Sequence, residues 1–389
     1  MRFAKRVEKI APSATLGITA KAKSMKEKGE DVIVLAAGEP AFDTPAVIKE
    51  AAIKAIKDGF TKYAPTSGTP ALKEAICRKL KKDNNLDYVP AEIVVSCGAK
   101  HSLYNVFQVL CDAGDEVLII DPYWLSYPEM VKLAGATPKF IETKAGNGFR
   151  ATADDLKKAL TKKTRALILN SPSNPAGVVY DEPQIREIVT LCLANGTMIV
   201  SDEIYEKIIF DGKKHFSPAS ISPEAKANTV TVNGLSKSYS MTGWRIGYIA
   251  APKEIAEKVA TMQDHSTSNA CSISLKAAEC ALDSDLEAFM KENCEEFKRK
   301  RDILFDGLSK IKGLKPFKPS GAFYMFLDIS ATGLSSMAFA TRLLEESKVA
   351  VIPGGPFGAD AYVRVSFATE KETISKGVER IKSFVEKLK

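Results

Sequence analysis

The middle of the chain alternates short apolar runs with amphipathic stretches. The apolar runs are rich in β-branched residues and predict strands at residues 93–97, 116–120, 166–170, 198–201, 229–232 and 245–250. The stretches between them repeat apolar positions at helical spacing and predict helices at residues 100–111, 127–134, 153–159 and 183–193. Strands that alternate with helices are typical of a mostly parallel sheet flanked by helices. The pattern therefore predicts an α/β fold with a large domain over residues 45–285.

A smaller α+β domain is predicted from the rest of the chain. After residue 285 the pattern predicts one long charged helix, residues 286–311, followed by shorter elements. These are strands at 322–329, 349–352 and 362–367 and helices at 335–347 and 373–388. The sequence has no internal repeat and no Pro- or Gly-rich linker before this region. We therefore expect residues 286–389, together with an N-terminal arm at 1–44, to pack closely against the large domain.

Composition narrows the class of protein. The 389 residues are 45% hydrophobic and 26% charged, which is ordinary for a globular protein and excludes a disordered or collagen-like chain. The formal net charge of +7 is small for this length, so we predict no nucleic-acid partner. No apolar run approaches the roughly 18 residues of a membrane helix, so no membrane partner is predicted either. Three scattered histidines predict no metal site.

The cysteines and the N-terminal segment indicate the compartment. The seven cysteines form no C-x-x-C pair and lie mostly in apolar stretches, which is typical of buried thiols in a reducing compartment. The first 28 residues are basic but lack the continuous apolar core of a secretory signal. They also resemble a transit peptide in composition, but they lead directly into a predicted strand at residues 32–35. We therefore predict an arm followed by a first helix, in a cytoplasmic protein.

Chemically useful residues follow several of the predicted strands. Ligands of a parallel sheet collect at the carboxyl ends of its strands. The first of these strands leads into Gly98-Ala99-Lys100 and then a helix, whose free backbone N–H groups can bind a phosphate. A plain strand-to-helix turn has the same pattern and is commoner. After the strand at 166–170, two prolines fix a turn in which Asn174 either faces a ligand or caps the turn.

Two further strand ends carry ionisable groups. One is followed by Asp202 and Tyr205, which can face one ligand with Glu203 turned aside or can both lie at the surface. The next is followed by Lys237, set among small residues, where an amine can react with a carbonyl compound. A solvated loop lysine is the alternative. Arg245, eight residues later, can hold a phosphate with two parallel hydrogen bonds.

Together these strand ends would supply a lysine, an isolated carboxylate, a phenol, an asparagine and a phosphate site. This set matches pyridoxal phosphate, whose aldehyde, pyridine nitrogen, ring oxygen and phosphate need such partners. A dinucleotide-dependent dehydrogenase would carry G-x-G-x-x-G after its first strand, and the sequence has neither that motif nor a P-loop. The sequence therefore predicts pyridoxal phosphate as the cofactor.

Ordered motifs extend this match along nearly the whole chain. Besides the segments around Asn174, Asp202 and Lys237, they lie at residues 12–15, 38–40, 62–65, 122–128, 241–245 and 363–369. On these motifs the chain resembles the class I aminotransferases of fold type I. Within them it resembles the bacterial aspartate aminotransferases of the subgroup that includes aspartate/prephenate aminotransferases. The resemblance implies a large pyridoxal-phosphate-binding domain, a smaller α+β domain, and a homodimer with shared active sites.

The resemblance implies a role for each matching cofactor residue. Lys237 is implied to form a Schiff base with pyridoxal phosphate, Asp202 to pair with the pyridine nitrogen, and Tyr205 to bond the ring oxygen. These three are the implied catalytic residues. Trp124 is implied to stack on the ring and Asn174 to lie beside it. The implied phosphate ligands are Arg245, Ser236, the Ala99 and Lys100 amides and, from a second subunit, Tyr63.

The resemblance also implies the substrate contacts and the reaction. Arg364, helped by Asn174, is implied to hold the substrate α-carboxylate near the Gly38 backbone, with Trp124 beside it. Lys100 matches the position that contacts the distal carboxylate of a dicarboxylic substrate in this subgroup. The implied partners are therefore amino acids and 2-oxo acids. The implied reaction is the ping-pong conversion of L-aspartate and 2-oxoglutarate to oxaloacetate and L-glutamate.

Other activities share the same cofactor residues. An aspartate/prephenate, aromatic or alanine aminotransferase, or a carbon–sulfur β-lyase, would also use Lys237, Asp202 and Arg245. Ala11 stands where prephenate-using members tend to carry a basic residue, which favours aspartate with 2-oxoglutarate. A non-catalytic regulator on this fold would need an added DNA-binding module or a basic stripe. The basic residues instead alternate with acids, as on a solvated helix.

Overall fold

The computed structural model describes residues 2–388, and its strands form a large sheet, a small sheet and a strand pair. The strands of the large sheet follow each other along the middle of the chain. In chain order the strands are β1 (Ile33–Val34), β2 (Ile93–Ser96), β3 (Glu116–Ile120), β4 (Thr137–Ile141), β5 (Thr164–Asn170), β6 (Met198–Asp202), β7 (Thr229–Gly234), β8 (Gly247–Ala250), β9 (Lys315–Phe317), β10 (Tyr324–Asp328), β11 (Val349–Ala350), β12 (Ile352–Pro353) and β13 (Tyr362–Ser366).

Helices alternate with these strands, and several of them start at side-chain caps. Thr69 accepts the N–H of Leu72 ahead of a helix whose first residue is proline, and Asp181 and Gln184 form a reciprocal capping box. The helices are α1 (Lys5–Glu8), α2 (Ala14–Glu27), α3 (Ala46–Lys57), α4 (Pro70–Asn84), α5 (Ala99–Leu110), α6 (Ser126–Leu133), α7 (Ala153–Ala159), α8 (Glu182–Asn195), α9 (Pro223–Ala227), α10 (Lys253–Asp264), α11 (Ser272–Asp283), α12 (Glu287–Ser309), α13 (Ser336–Ser347) and α14 (Lys371–Lys387).

The large sheet is mostly parallel, with one strand reversed. Its order is β2-β8-β7-β6-β5-β3-β4. Neighbours from β7 to β4 are parallel, whereas β8 is antiparallel to both β7 and β2. β8 therefore runs against the other strands, and its amino end lies at the edge where they have their carboxyl ends. That edge collects the residues that follow β2, β5, β6 and β7 and those that precede β8.

The strands of this sheet are apolar because both faces are covered. Leu167 of β5 packs on one face with a cluster that includes α8, and Ile168 packs on the other face with a cluster that includes α5. Successive side chains of a strand point to opposite faces, so a strand buried on both sides needs a continuous apolar run. This is why the central strands could be read directly from the sequence.

A four-stranded sheet of order β12-β13-β10-β9 and the parallel pair β1–β11 form the smaller part. Its core of Phe323, Phe339 and Phe384 is continuous with Tyr205 and Ile208, which come just after β6. The core of the smaller part therefore packs directly against the segment that follows the central strand β6. The predicted domain boundary between residues 285 and 286 falls just ahead of α12 and stays a prediction.

The α/β architecture is confirmed, with the predicted elements present to within two residues of their expected ends. Two strand predictions need correction. Arg245 is not part of a strand but adopts a left-handed conformation (φ 57°) before β8, and the strand expected at 349–352 is split into β11 and β12. β4 was not predicted because it is an exposed edge strand containing a proline, which only an edge tolerates.

Within residues 2–388, no helix has the length and apolar character needed to cross a membrane.

Candidate active site

A cavity of about 560 Å³, called the pocket below, opens at the edge where these strand ends collect. Residues after β2, β5, β6 and β7 form its floor, and the segment around Gly38 and part of the smaller sheet complete its walls. Of the predicted site residues, all but Tyr63 line the pocket: Gly38, Ala99, Lys100, Trp124, Asn174, Asp202, Tyr205, Ser236, Lys237, Arg245 and Arg364. The fold thus brings together residues that are far apart in the sequence.

Lys237 lies just beyond β7, with its amine inside the pocket. Its Nζ donates a hydrogen bond to the carbonyl oxygen of Gly38 at 2.6 Å. Burial, together with the positive charges of Arg364 and Arg245, lowers the pKa of Lys237 to about 8. Because only the neutral amine has a lone pair, a lowered pKa makes Lys237 a better nucleophile and base near neutral pH.

Asp202, the last residue of β6, is a buried carboxylate at the pocket floor. Its Oδ2 accepts a hydrogen bond from the Tyr127 hydroxyl at 2.6 Å, and its Oδ1 accepts the N–H of Ile204 at 3.3 Å. Burial raises the pKa of Asp202 to about 6, while the Tyr127 hydrogen bond and Lys237 act in the opposite direction. A buried carboxylate of this kind is stabilised by a cationic partner, such as a protonated ring nitrogen.

Two tyrosines of the pocket were missed by the sequence reasoning as site residues. Tyr127 lies in the motif at 122–128, on α6, but its partner Asp202 is on β6, so only the fold reveals the hydrogen bond. Tyr324, in β10 of the smaller sheet, has its hydroxyl 3.1 Å from that of Tyr205. Burial raises the pKa of Tyr205 well above its usual value, so its hydroxyl stays protonated and can donate a hydrogen bond.

An anion site lies where β2 leads into α5. Gly98 has φ 90°, a conformation that favours glycine, and a Cβ atom there would come within 2.2 Å of the Arg245 guanidinium. Arg245 donates hydrogen bonds to the carbonyl oxygens of Thr242 (2.8 Å) and Cys97 (3.3 Å). The guanidinium therefore lies against the amino end of α5. Both groups favour a phosphate, through charge and through the free N–H groups of the first helical turn.

Arg364, in β13, supplies a second guanidinium that is only 2% exposed. Its two terminal nitrogens donate hydrogen bonds to Asn174 Oδ1 at 3.0 Å and to the carbonyl oxygen of Ala36 at 3.1 Å. It also lies 4.2 Å from the centre of the Tyr324 ring. Its Nε is buried without a hydrogen-bond partner among the described residues. Arg364 is thus held in place while keeping hydrogen-bonding capacity for a carboxylate.

Lys100 brings a further cation to the pocket. It is the second residue of α5, and its Nζ lies 4.8 Å from the centre of the Trp124 ring. Burial and the nearby Arg245 charge lower the pKa of Lys100. A lysine near the positive end of a helix is unfavourable without an anion, so this position favours an anionic ligand beside Lys100.

Tyr63 is the predicted residue that the single chain does not bring to the pocket. It lies in the loop between α3 and α4, and 93% of its side chain is exposed. An aromatic side chain of this exposure gains nothing from its own chain by packing. The implied contact from a second subunit therefore stays a prediction.

Comparison with known proteins identifies the family. Residues 30–381 match the family described as "Aminotransferase class I and II". The chain belongs to this family of aminotransferases. It is 50% identical to the aspartate aminotransferase of Geobacillus stearothermophilus, with 99% of both chains covered. It is 42% identical to the aspartate/prephenate aminotransferase of Thermus thermophilus, with 97% of both chains covered.

Solved aminotransferase structures share the whole fold. The aspartate aminotransferase from Thermus thermophilus with maleate superposes with a TM-score of 0.95, at 42% identity over 98% of this chain and 100% of that one. The aromatic aminotransferase from Pyrococcus horikoshii gives a TM-score of 0.89, at 39% identity over 94% of this chain and 99% of that one. The predicted fold type I architecture is confirmed by these likenesses.

Aminotransferases of this family depend on pyridoxal phosphate, and the pocket fits that cofactor. The cationic side chains Lys100, Lys237, Arg245 and Arg364 line it together with the acidic Glu39 and Asp202. This excess of positive charge suits a phosphate and substrate carboxylates. The unpartnered Nε of Arg364 and the close approach of Gly98 to Arg245 are further features that a bound anionic cofactor and substrate would use.

Proposed function

We propose that this aminotransferase converts L-aspartate and 2-oxoglutarate to oxaloacetate and L-glutamate. The observation that carries the proposal is the pair of cations, Lys100 and Arg364, that line the pocket in addition to Lys237 and the phosphate-site Arg245. A dicarboxylic substrate needs one cation for each carboxylate. Relatives named aspartate aminotransferase at 50% and 49% identity support this choice, as does the Thermus structure that contains maleate, a dicarboxylate.

The substrate is held at both of its ends. Arg364 binds the α-carboxylate, because it is already oriented by Asn174 and by the Ala36 carbonyl and presents a free Nε–H. Lys100 binds the distal carboxylate. Trp124 would stack on the face of the cofactor ring and cover the space between the two ends of the substrate. Fixing both ends restricts the rotation of the substrate, so that its Cα–H bond is presented to Lys237 in one orientation.

Pyridoxal phosphate, when bound, accepts the electron pair of the broken Cα–H bond into its pyridine ring. Lys237 would hold its aldehyde, and Arg245, Ser236 and the N–H groups of Ala99 and Lys100 would hold its phosphate. The Lys237 Nζ, when not bound to the cofactor, would take the proton from the substrate Cα and give it to the carbon that was the cofactor aldehyde. Its pKa of about 8 suits both steps, since a group that gives and takes a proton works best near the ambient pH.

Asp202 and Tyr205 control the charge of the cofactor ring. The Asp202 carboxylate would keep a proton on the ring nitrogen of the bound cofactor, and that positive charge would make the ring a stronger electron acceptor. The Tyr205 hydroxyl donates a hydrogen bond to the ring oxygen. Tyr127 and Tyr324 hold these two residues through the hydrogen bonds at 2.6 Å and 3.1 Å. Asn174, which bonds Arg364 in the pocket, would lie beside the cofactor ring.

Lys100→Met tests the choice of substrate. We expect the variant to lose about a hundredfold in kcat/KM for aspartate and glutamate, because their distal carboxylate is left without its partner. Single-turnover rates for alanine and phenylalanine should change little. The measurement follows the visible absorbance of the bound cofactor after mixing with each amino acid. Lys132→Met is the matched control, because Lys132 and its ion-pair partner Glu129 both lie on α6, outside the pocket.

The same substrate panel separates the competing activities. Faster reaction of phenylalanine or, in the amine-accepting direction, prephenate than of the aspartate pair would contradict the aspartate assignment. Release of pyruvate and ammonia from cystathionine would make the enzyme a β-lyase. Lys237→Ala should abolish turnover with every substrate, and any remaining transamination would contradict the role given to Lys237.

We further propose a cytoplasmic homodimer with shared active sites. All seven cysteines have free thiols, which suits a reducing compartment. The apolar side chains of Val47, Ile53 and Ile56 on α3 are exposed in the single chain, close in sequence to the exposed Tyr63. Exposed apolar side chains near an exposed tyrosine are stabilised when a second subunit covers them. Tyr63 would then reach the phosphate in the partner's pocket.

A further inference from the structure

The turn after β6 has two faces with different functions. Asp202 and Tyr205 face the pocket, whereas Glu203 and Glu206 lie on the other side of the same segment. Both glutamates are buried, with only 1% and 7% of their surface exposed. Burying two carboxylates next to each other is very unfavourable unless each has its own partners. Their partners therefore determine how the whole turn is held.

Glu206 is paired with a buried lysine of α4. The Lys79 ammonium forms an ion pair with Glu206 Oε1 and lies 2.7 Å from Asn84 Oδ1, and Asn84 Nδ2 donates to Glu206 Oε2 at 2.7 Å. Burial by itself would raise the pKa of Glu206, but Lys79, His215 and Asn84 outweigh it and lower the pKa to about 2. Glu206 is therefore ionised and ties the turn to α4.

Glu203 is satisfied by a different element. Its Oε1 accepts hydrogen bonds from Ser201 Oγ at 2.8 Å and Ser217 Oγ at 2.7 Å, and its Oε2 lies 2.8 Å from His215 Nε2. Burial lowers the pKa of His215, but Glu203 and Glu206 act more strongly together and raise it. The second glutamate thus ties the turn to the loop that carries residues 215–217.

The same side chains have the spacing of a metal site but carry their own cation. Ligand atoms of Glu203, Glu206 and His215 lie within 4.8 Å of one another, a spacing that could hold a metal ion. The Lys79 ammonium lies against Glu206, where such an ion would have to bind. Two further charges complete the group, since Asp83 lies 3.6 Å from Lys79 and 2.9 Å from Lys207. The protein therefore neutralises these carboxylates with its own side chains.

We propose that Lys79, Glu203, Glu206 and His215, called the turn cluster below, form a positioning group that fixes Asp202 and Tyr205 against the cofactor ring. The inference rests on the proposed cofactor roles of Asp202 and Tyr205. Each cluster carboxylate is one residue beyond a pocket residue, so a displacement of either glutamate moves its neighbour. Small displacements matter here, because moving a catalytic group by about 1 Å can cost about a hundredfold in rate.

The test is a double variant that removes the ion pair without leaving a buried charge. Lys79→Met alone would leave Glu206 uncompensated and can fail to fold, whereas Lys79→Met/Glu206→Gln keeps side-chain length with no net charge change. We expect the double variant to fold, to bind the cofactor with a dissociation constant about tenfold higher, and to have a kcat about tenfold lower. We also expect a shifted midpoint in the pH titration of the visible absorbance of the bound cofactor. Lys79→Arg, which keeps the charge, should restore much of the wild-type behaviour.

Asp211→Asn supplies the matched control for a purely structural effect. It weakens the ion pair between Asp211 and the buried Arg301, which lies outside the pocket. We expect this variant to lower the melting temperature while leaving cofactor affinity and the pH titration unchanged. If the double variant behaves like this control, the turn cluster is structural only and the proposal is overturned.

The outcome does not depend on the identity of the substrate. Cofactor affinity and the pH titration of its absorbance need only bound pyridoxal phosphate. If the wild-type protein failed to react with aspartate, the proposed function would fall while these two measurements still tested the turn cluster. If it reacts with aspartate and both measurements stay unchanged in the double variant, the turn cluster proposal alone fails.

Discussion

At the residue scale, the charge of Asp202 depends on two opposing effects. Burial favours the neutral acid, and the hydrogen bond from Tyr127 favours the carboxylate. The balance leaves the pKa of Asp202 at about 6, so the carboxylate predominates at neutral pH. Because the proposed function requires the ionised form, the single hydroxyl of Tyr127 has a catalytic consequence.

Tyr127→Phe should therefore narrow the active pH range from the acid side. Loss of a hydrogen bond that lowers the pKa of Asp202 raises that pKa, so a higher pH is needed to ionise the carboxylate. A hydrogen bond to a charged group is worth about 1.5–3 kcal/mol, which corresponds to a shift of about one to two pH units. The measurement is the pH profile of kcat/KM for aspartate, in which the acid limb should move to higher pH.

Tyr123→Phe is the control for this prediction. Tyr123 is close in the chain, but its ring stacks on Phe140 at 4.9 Å, away from Asp202. Its removal should leave the acid limb where it is. An unchanged acid limb in Tyr127→Phe would show that Tyr127 has no influence on the charge of Asp202.

The same comparison shows what sequence could predict about single residues. Asp202, Tyr205 and Lys237 could be predicted because each lies at the end of a buried strand or within three residues of it, and strand ends of a parallel sheet meet. Tyr127 and Tyr324 could not, because each acts through a side chain on a distant element that only the folded chain brings near. Glu203 was expected to turn aside, but sequence alone did not indicate its partners on the loop at 215–217.

At the element scale, the junction between β2 and α5 depends on one glycine. Gly98 places the first turn of α5 directly against the Arg245 guanidinium, and its positive φ lets the chain change direction within one residue. Arg245 is itself in a left-handed conformation just before β8. The proposed phosphate site therefore lies between two turns, and the Arg245 side chain fills the space beside Gly98.

Gly98→Ala should weaken cofactor binding more than it lowers stability. The added Cβ would displace the guanidinium that it meets at 2.2 Å, so we expect the dissociation constant for pyridoxal phosphate to rise at least about tenfold. Gly114→Ala is the control, because Gly114 has a similar φ of 99° but open space around its Cβ position. It should show the conformational cost alone, about 1 kcal/mol, with unchanged cofactor affinity. Equal cofactor affinities in the two variants would contradict this account of the junction.

Sequence could predict the central elements but not their directions. Strands β3, β5 and β6 contain apolar runs because both faces are covered, and β7 alternates threonine with valine over residues 229–232. Both patterns are visible in the sequence. Nothing in a local pattern shows that β8 is antiparallel, since strand direction is set by the connections between elements. That reversal is what brings Arg245, before β8, to the same edge as residues that follow the other strands.

At the scale of the whole molecule, the single chain has a pocket that lacks one predicted group. Eleven of the twelve predicted site residues line it, and Tyr63 does not. Tyr63 is 93% exposed and follows α3, which exposes Val47, Ile53 and Ile56. Sequence could not settle this contact, because neither patterning nor local spacing describes a second subunit. The proposed homodimer would account for both the exposed side chains and the missing group.

Mixed dimers test this arrangement directly. Tyr63→Phe should raise the dissociation constant for pyridoxal phosphate by about tenfold or more, since a hydroxyl-to-phosphate hydrogen bond is lost, while sedimentation still shows a dimer. Tyr362→Phe, on the smaller sheet and outside the pocket, should leave this dissociation constant unchanged.

The hybrid dimer also needs subunits that lack the reactive amine. We expect Lys237→Ala subunits to be inactive alone. A hybrid of one Tyr63→Phe and one Lys237→Ala subunit has one intact pocket only if Tyr63 crosses the interface. At limiting cofactor, recovery of activity on mixing supports the shared site. If activity does not recover, Tyr63 either acts in the pocket of its own subunit or has no role in cofactor binding.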